Sequence, residues 1–553
     1  MVDDNMSMYD YIKKVTFDLV KVPSRVRQAG EEKDFAFKLR DMIGEIPYFA
    51  KHPENVMLVP LEGDQLGRYS VLALLEGEEE SPETVILLSH FDTVGTGDYG
   101  ELEPYALDPG LLKEKMKAMR DKYSQDVQDD LDADAWIFGR GTGDMKAGVA
   151  INLCVLREFS QDAARMKGNI LFICAADEEA MAKGAQAAAK KVYRMVRDQK
   201  SDFLGLIKTD IMLRRYPDDD HNYLYLGTIG KYLLSFYICG VPSHVGECFA
   251  GVDSNLIASK LVDRISMNCD FSDEAEEEIT PPPVTLKQTD LKEVYDVQLP
   301  YESQVYFNYF TYTKTPSQVL AVGKREACRV MEALKEQYLA EKEYFHRKAG
   351  IPHTPRPLEA NIYTYDEFYE KVVTEKPHLR RELAVFAEGY QYHEADETKL
   401  SLAIVRKLFK ESKEFHEQKP CIIVYLAPPY VPRVYVKGET EKEKHFIDSL
   451  ERAVTEDNNH IKIRKFYPYL SDMSWFGMSD EISDIEILKA NTPGFHRTCT
   501  VELEPLTELK IPGVNIGPYC KDPHQATERL YMPYSFDYVP RLICRTVKNL
   551  LNK

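Results

Sequence analysis

The chain has 553 residues, 44% of them hydrophobic and 29% charged, and its 90 Asp and Glu against 70 Lys and Arg give a formal net charge of -20. That length exceeds what one hydrophobic core usually serves, so two domains are expected, and the composition is that of a globular protein. The acidic balance argues against nucleic acid and anionic membrane surfaces as partners.

The first twenty residues are acidic and amphipathic, without the basic start, apolar stretch and small-residue cleavage site of a secretory signal, and no apolar run is long enough to span a bilayer. Residues 8 to 43 carry helix-period apolar positions broken at Pro23 and Gly30. Two short β-rich runs follow, YSVLALLEG and ETVILLSH, the second apolar on both faces like a strand covered by helices. GNILFICAA is another such run, preceded by the helical pattern of MKAGVAINLCVLREF. Strands alternating with helices predict an α/β fold, a mostly parallel sheet sandwiched by helices.

The texture changes near residue 230. KYLLSFYICG and SQVYFNYFTY read as half-exposed strands, with long helices at 253 to 267 and 315 to 347, and together they predict an α+β domain. The charged, Tyr-rich stretch from about 350 to 420 shows no clear periodicity, and the prolines of CIIVYLAPPYVPRVYV point to an edge strand or a domain boundary. The expected division is residues 1 to 229 and 436 to 553 in one domain and 230 to 435 in an inserted one. The acidic runs EGEEESPE and DEAEEEITPPP read as solvated loops. Ten scattered cysteines without a CxxC pair are expected to be reduced thiols of a cytoplasmic protein.

Five elements along this chain could carry chemistry, and each taken alone has an ordinary structural explanation. His90 and Asp92 sit where the run ILLSH ends, the side of an open α/β sheet on which ligands bind, with Asp92 placed to fix the imidazole tautomer; a polar turn would look the same. Asp144 lies in the glycine-rich turn GRGTGDMKAG entering a helix, where an Asp is most often a cap. That turn follows neither the GxGxxG nor the P-loop pattern, so a nucleotide-dependent enzyme is the last-ranked reading. Asp177, Glu178 and Glu179 directly follow NILFICAA and repel one another unless a cation or proton offsets them, so that one could bind metal while its neighbour addresses a water. Asp210 ends FLGLIKTD, and His524 lies in a Pro- and Gly-rich loop before a terminal helical stretch.

As an ordered set, HFDTVG, GRGTGDMKAG, DEE, GTIGKYLLSFYICGVPSHVGECFAG, YLSDMSWFG and GPYCKDPHQATE resemble the co-catalytic zinc hydrolases that include aminoacylase, carboxypeptidase G and succinyl-diaminopimelate desuccinylase. Within that family, the HFDTVGTGDYG segment, the TDIML context of Asp210 and the overall length most resemble an arginine-utilisation member.

The resemblance implies a catalytic domain with an inserted lid, and two Zn2+ ions, one held by His90, Asp144 and Asp210 and the other by Asp144, Glu179 and His524. Such donors also accept Co2+ or Mn2+. It implies a zinc-bridged water with Glu178 as general base, a non-proline cis peptide after Asp144, His244 as a lid histidine at the substrate oxygen, and Asn308 as a further lid contact. A lid of residues 230 to 435 is about twice the length of simpler relatives, leaving either a homodimer or a monomer with an enlarged lid. The expected activity is hydrolysis of an amide in a small peptide or N-acyl amino acid, linked to arginine degradation. The alternative is a catalytically silent, metal-bearing binding or regulatory protein of the same fold.

Overall fold

The computed structural model describes residues 6 to 77, 81 to 352, 358 to 391, 396 to 455, 460 to 499 and 501 to 552. Two compact units are formed, the first from residues 1 to 228, 434 to 479 and 508 to 553, the second from 229 to 433 and 480 to 507.

The first unit is built on an eight-stranded mixed sheet. Its strands run in the order Val56–Pro60, Tyr69–Leu75, Asn169–Ala175, Glu83–His90, Asp202–Lys208, Gly513–Asn515, Asn222–Leu226 and Ile461–Arg464. The four from Asn169–Ala175 to Gly513–Asn515 are mutually parallel. Val85, Ile86, Leu87 and Leu88 are all fully buried, so both faces of the Glu83–His90 strand are covered. Each such side chain contributes about 1.5–3 kcal/mol on leaving water. Helices Met8–Val20 and Glu31–Gly44 form where the apolar periodicity lies, and Gly30, at φ 87°, makes the turn between them that a side chain would resist. Helices Ala147–Ser160, Lys183–Arg197, Glu441–Thr455 and Val539–Leu551 complete the layers flanking the sheet.

The second unit holds a five-stranded sheet in the order Val284–Asp290, Glu302–Thr311, Gly230–Cys239, Cys421–Val431 and Asn361–Thr364. Gly230–Cys239 is a central strand buried on both faces rather than half-exposed. Cys421–Val431 is likewise interior, not an edge. It accommodates Pro428 and Pro429 where its pairing with Gly230–Cys239 slips between Ala427 and Val431, and the boundary between the units falls just beyond, after Arg433.

The stretch without legible periodicity folds into strand Asn361–Thr364 and helices Tyr365–Glu375, Leu379–Gly389 and Thr398–Lys410. Their Phe368, Leu383, Leu400 and Leu408 join Tyr237 and Ile423 of the sheet in one apolar cluster. Residues 480 to 507, expected in the first unit, belong to the second, where helix Ile482–Asn491 buries Ile485 and Leu488.

The run DEAEEEITPPP is not wholly a solvated loop. It contains the small hairpin Glu274–Ala275 with Glu278–Ile279, and buried Asp273 accepts from the amides of Tyr312, Thr313 and Lys314. Of the other acidic run, Glu78, Glu79 and Glu80 lie outside the described residues. All ten cysteines are free thiols, and among the described residues no helix is long and apolar enough to cross a membrane.

Candidate metal centre

Parallel strands deliver their carboxyl ends to one edge of the first unit's sheet. His90 stands opposite Ala175, Leu88 opposite Lys208, and Lys208 opposite Asn515. Side chains just past these ends therefore share one crevice. His90 closes its strand, Glu178 and Glu179 follow Asn169–Ala175, Asp210 follows Asp202–Lys208, and the loops carrying Asp144 and His524 reach the same place.

The two oxygens of Asp144 are divided between two imidazoles, Oδ1 lying 3.2 Å from His90 Nε2 and Oδ2 3.1 Å from His524 Nε2. Glu179 Oε1 is 2.9 Å from the same His524 nitrogen. Asp210 Oδ2 lies 4.0 Å and Glu178 Oε2 3.9 Å from His90 Nε2. Ligand atoms of His90, Asp144 and Asp210 fall within 4.8 Å of one another, as do those of Asp144, Glu179 and His524. Asp144 thus joins two donor groups. It is not a helix cap: the helix starts at Ala147, and the Asp144–Met145 peptide is cis, as the resemblance implied.

Surrounding groups fix these donors. Asp92 does so differently from the sequence expectation. Its carboxylate is 3.7 Å from His90 Nδ1, too far for a hydrogen bond, and accepts instead from the amides of Glu178 at 3.1 Å and Glu179 at 3.0 Å. The imidazole Nδ1 meets the Asp92 carbonyl at 3.2 Å, which sets the tautomer through the backbone. Asn515 grips the Asp210 backbone, its Oδ1 accepting from Asp210 N and its Nδ2 donating to Asp210 O. Glu528 accepts from the amides of Gly143 and Asp144 and pairs with Arg140. Those loop amides are thereby consumed inside the protein, which removes the phosphate-loop reading of GRGTGDMK.

Like Arg140 and Glu528, the buried Lys208 and Asp472 were not singled out in the sequence. Lys208 donates to Glu178 Oε1 at 3.0 Å and pairs with Asp210 Oδ2 at 2.8 Å. Asp472, within YLSDMSWFG, is fully buried, and neither of its oxygens has a hydrogen-bond partner among the described residues. The signals available were the Lys two residues before Asp210 and the shared YLSDMSWFG segment itself.

Electrostatics show what this cluster lacks. Burial would raise the Asp144 carboxyl, but hydrogen bonds from His524 and His90 hold it well below the usual range. Burial, then Asp144, pushes Glu179 up to about 7. Bonds to Asp144 and Glu179 raise His524 to about 11, and burial raises Asp472 to about 8. Neighbouring carboxylates driven in opposite directions mark a pocket with more negative charge than its own cations balance.

The donor set fits divalent ions. Two imidazole nitrogens and three carboxylates are the ligand types zinc favours, and the approaches to His90 and His524 that now require a proton on Nε2 are those a cation would occupy. Another acidic group, Asp219 with Asp220 and His221, is already engaged: Asp219 accepts from Arg215 N, His221 N and the Tyr223 hydroxyl. His244 and Asn308 both belong to the second unit. His244 is exposed, its Nδ1 accepting from Gly246 N at 3.0 Å, and Asn308 lies buried in Glu302–Thr311.

Comparison with known proteins places this architecture. The chain is 31% identical to Protein RocB of Bacillus subtilis over 560 residues, covering 99% of this chain and 96% of that protein. It is 30% identical to the uncharacterized protein YqjN of the same organism over 551 residues, covering 99% and 98%. A tripeptidase from Staphylococcus aureus, at TM-score 0.51, 13% identity and 99% coverage of both chains, shares its fold. So does aminopeptidase PepT from Bacillus cereus, at TM-score 0.51 and 13% identity over 98% of this chain and 100% of that one. Residues 86–497 match peptidase family M20/M25/M40. With that match and the full-length likeness to RocB, the chain belongs to peptidase family M20/M25/M40 and is a metal-dependent amidohydrolase.

Proposed function

We propose that this protein hydrolyses an amide bond in a small peptide or N-acyl amino acid of arginine breakdown. His90, Asp144 and Asp210 would hold one divalent ion, and Asp144, Glu179 and His524 a second, zinc being the ion that this donor type favours. The observation that carries the reading is the Asp144 carboxylate turned with one oxygen to each imidazole. The arginine assignment rests on the family resemblance read from the sequence.

When bound, the ions supply Lewis-acid polarisation of the carbonyl and acidify the attacking water. Glu178 acts as general base. One of its oxygens is tethered by Lys208 and the other faces His90 Nε2 at 3.9 Å. It takes the proton that water loses on attacking the amide carbon and returns it to the departing nitrogen, so that carboxylate and amine leave balanced. Asp92 holds the two glutamates' backbone in place for that transfer.

Metal analysis followed by a screen of arginine-containing dipeptides and N-acyl amino acids tests the reading. Hydrolysis that is lost on chelation and restored by Zn2+, Co2+ or Mn2+ supports it; stoichiometric metal with no turnover of either class refutes it. Glu178→Gln should retain metal and lose turnover.

A further inference from the structure

Lys208 is the last residue of the strand Asp202–Lys208, and its side chain is wholly buried. The ammonium makes two charge-assisted contacts, to Glu178 Oε1 at 3.0 Å and to Asp210 Oδ2 at 2.8 Å. It therefore touches both the base and a metal ligand of the function proposed above, on which this inference rests.

The arrangement answers a difficulty of this pocket. Asp144, Glu178, Glu179 and Asp210 converge on the same space, and any carboxylate free to rotate there would be drawn onto a divalent cation. A base coordinated to metal has lost the lone pair that makes it a base. Restraining Glu178 takes a strong, short-range attraction from the far side. A charge-assisted hydrogen bond is about twice as strong as a neutral one. A buried ammonium is held in turn, because moving it away would leave its partners' charges uncompensated. Lys suits the place better than Arg, since its compact head presents three donors that can address separate carboxylates.

We propose that Lys208 is a positioning residue that clamps one oxygen of Glu178, keeping this carboxylate off the metal and available for proton transfer.

The test uses the full chain, stripped by chelation and titrated with Zn2+ against a competing chromophoric chelator, and loaded with Co2+ for visible absorption. Wild type, Lys208→Met, Glu178→Gln and the double variant are compared. Lys208→Met is expected to tighten Zn2+ binding, and to lower kcat by about 10- to 100-fold at little changed KM on the substrate found in the screen. Its Co2+ spectrum should weaken as a further oxygen joins the ion. The gain in affinity should shrink in the double variant, which has no carboxylate to recruit.

Unchanged or weaker affinity in Lys208→Met, or an equal gain whether or not Glu178 is present, overturns the clamp. The second result would be a bare charge effect. Lys208→Gln, which keeps a donor without the charge, serves the same comparison where Met is not tolerated. Loss of both fold and metal in the two variants makes Lys208 a purely structural ion-pair member and also overturns it. Full turnover in Glu178→Gln would instead refute the base assignment itself, a result distinct from every Lys208 outcome.

Discussion

Asp92 Oδ2 accepts the amide hydrogen of Glu179 at 3.0 Å, while its Oδ1 accepts that of Glu178 at 3.1 Å. One buried carboxylate thus sets the backbone from which Glu178, the proposed base, and Glu179, a proposed metal ligand, both project. Asp92→Ala leaves two buried amides without acceptors, at about 1–3 kcal/mol each. We expect thermal unfolding to show that loss, with kcat down about 10- to 100-fold as for other groups supporting a metal site. Asp92→Asn, which keeps one acceptor oxygen, should fall between. Activity in Asp92→Ala equal to wild type would show that the backbone holds its course unaided.

Metal uptake should release protons. His524 is raised to about 11 by Asp144 and Glu179, above its ordinary value of about 6.5. In metal-free protein the stabilisation from this pairing is fully present below about 6.5 and is lost as pH rises towards 11. An imidazole must be neutral to bind metal, so affinity should climb with pH across that interval. Titration calorimetry in two buffers of different ionisation enthalpy measures the protons released. A result independent of buffer would contradict the protonated, metal-free state described.

Gly517 passes so close to the Asp210 segment that a Cβ there would lie 1.4 Å from the Asp210 carbonyl oxygen. No rotamer relieves a clash between backbones. Gly517→Ala should therefore displace Asp210 and lower the bound metal, read by elemental analysis alongside circular dichroism. Full metal content in a folded Gly517→Ala protein would mean that Asp210 contributes little to binding.

Stability of the second unit should depend on Asp480. It is fully buried and accepts from the hydroxyls of Tyr232 and Tyr430 and from Arg433, itself nearly buried. Asp480→Ala strands the guanidinium without a counter-charge, a change that costs about 3–5 kcal/mol. Denaturant unfolding should show a lowered midpoint, while the metal content of the first unit, whose ligands are untouched, should persist. A midpoint within error of wild type would rule out a stabilising role.

His90, Glu178, Glu179 and Asp210 could be picked out as candidates because each stands at the end of an apolar run, and Asp144 because it lies in a glycine-rich turn, while the roles proposed for them came from the family resemblance. Lys208 escaped notice for the opposite reason: at the end of FLGLIK it looks like an ordinary solvated strand terminus, and only its fold partners, 30 residues away at Glu178 and across the loop at Asp210, reveal a buried charge. Glu528 was hidden similarly, since its partners Gly143 and Asp144 are 385 and 384 residues distant. In the 350 to 420 stretch a capping box, Thr364 with Glu367, was present in the letters TYDE, but short amphipathic helices with heavily charged outer faces diluted the periodicity that follows.

The strand Gly513–Asn515 lies between Asp202–Lys208 and Asn222–Leu226, yet it is made long after both of them. Until the ribosome has passed that point, two apolar ladders lack their common neighbour and expose unpaired edges. The nascent first unit must wait for its keystone, and a product terminated before residue 513 should associate through those edges instead of accumulating as a monomeric fragment.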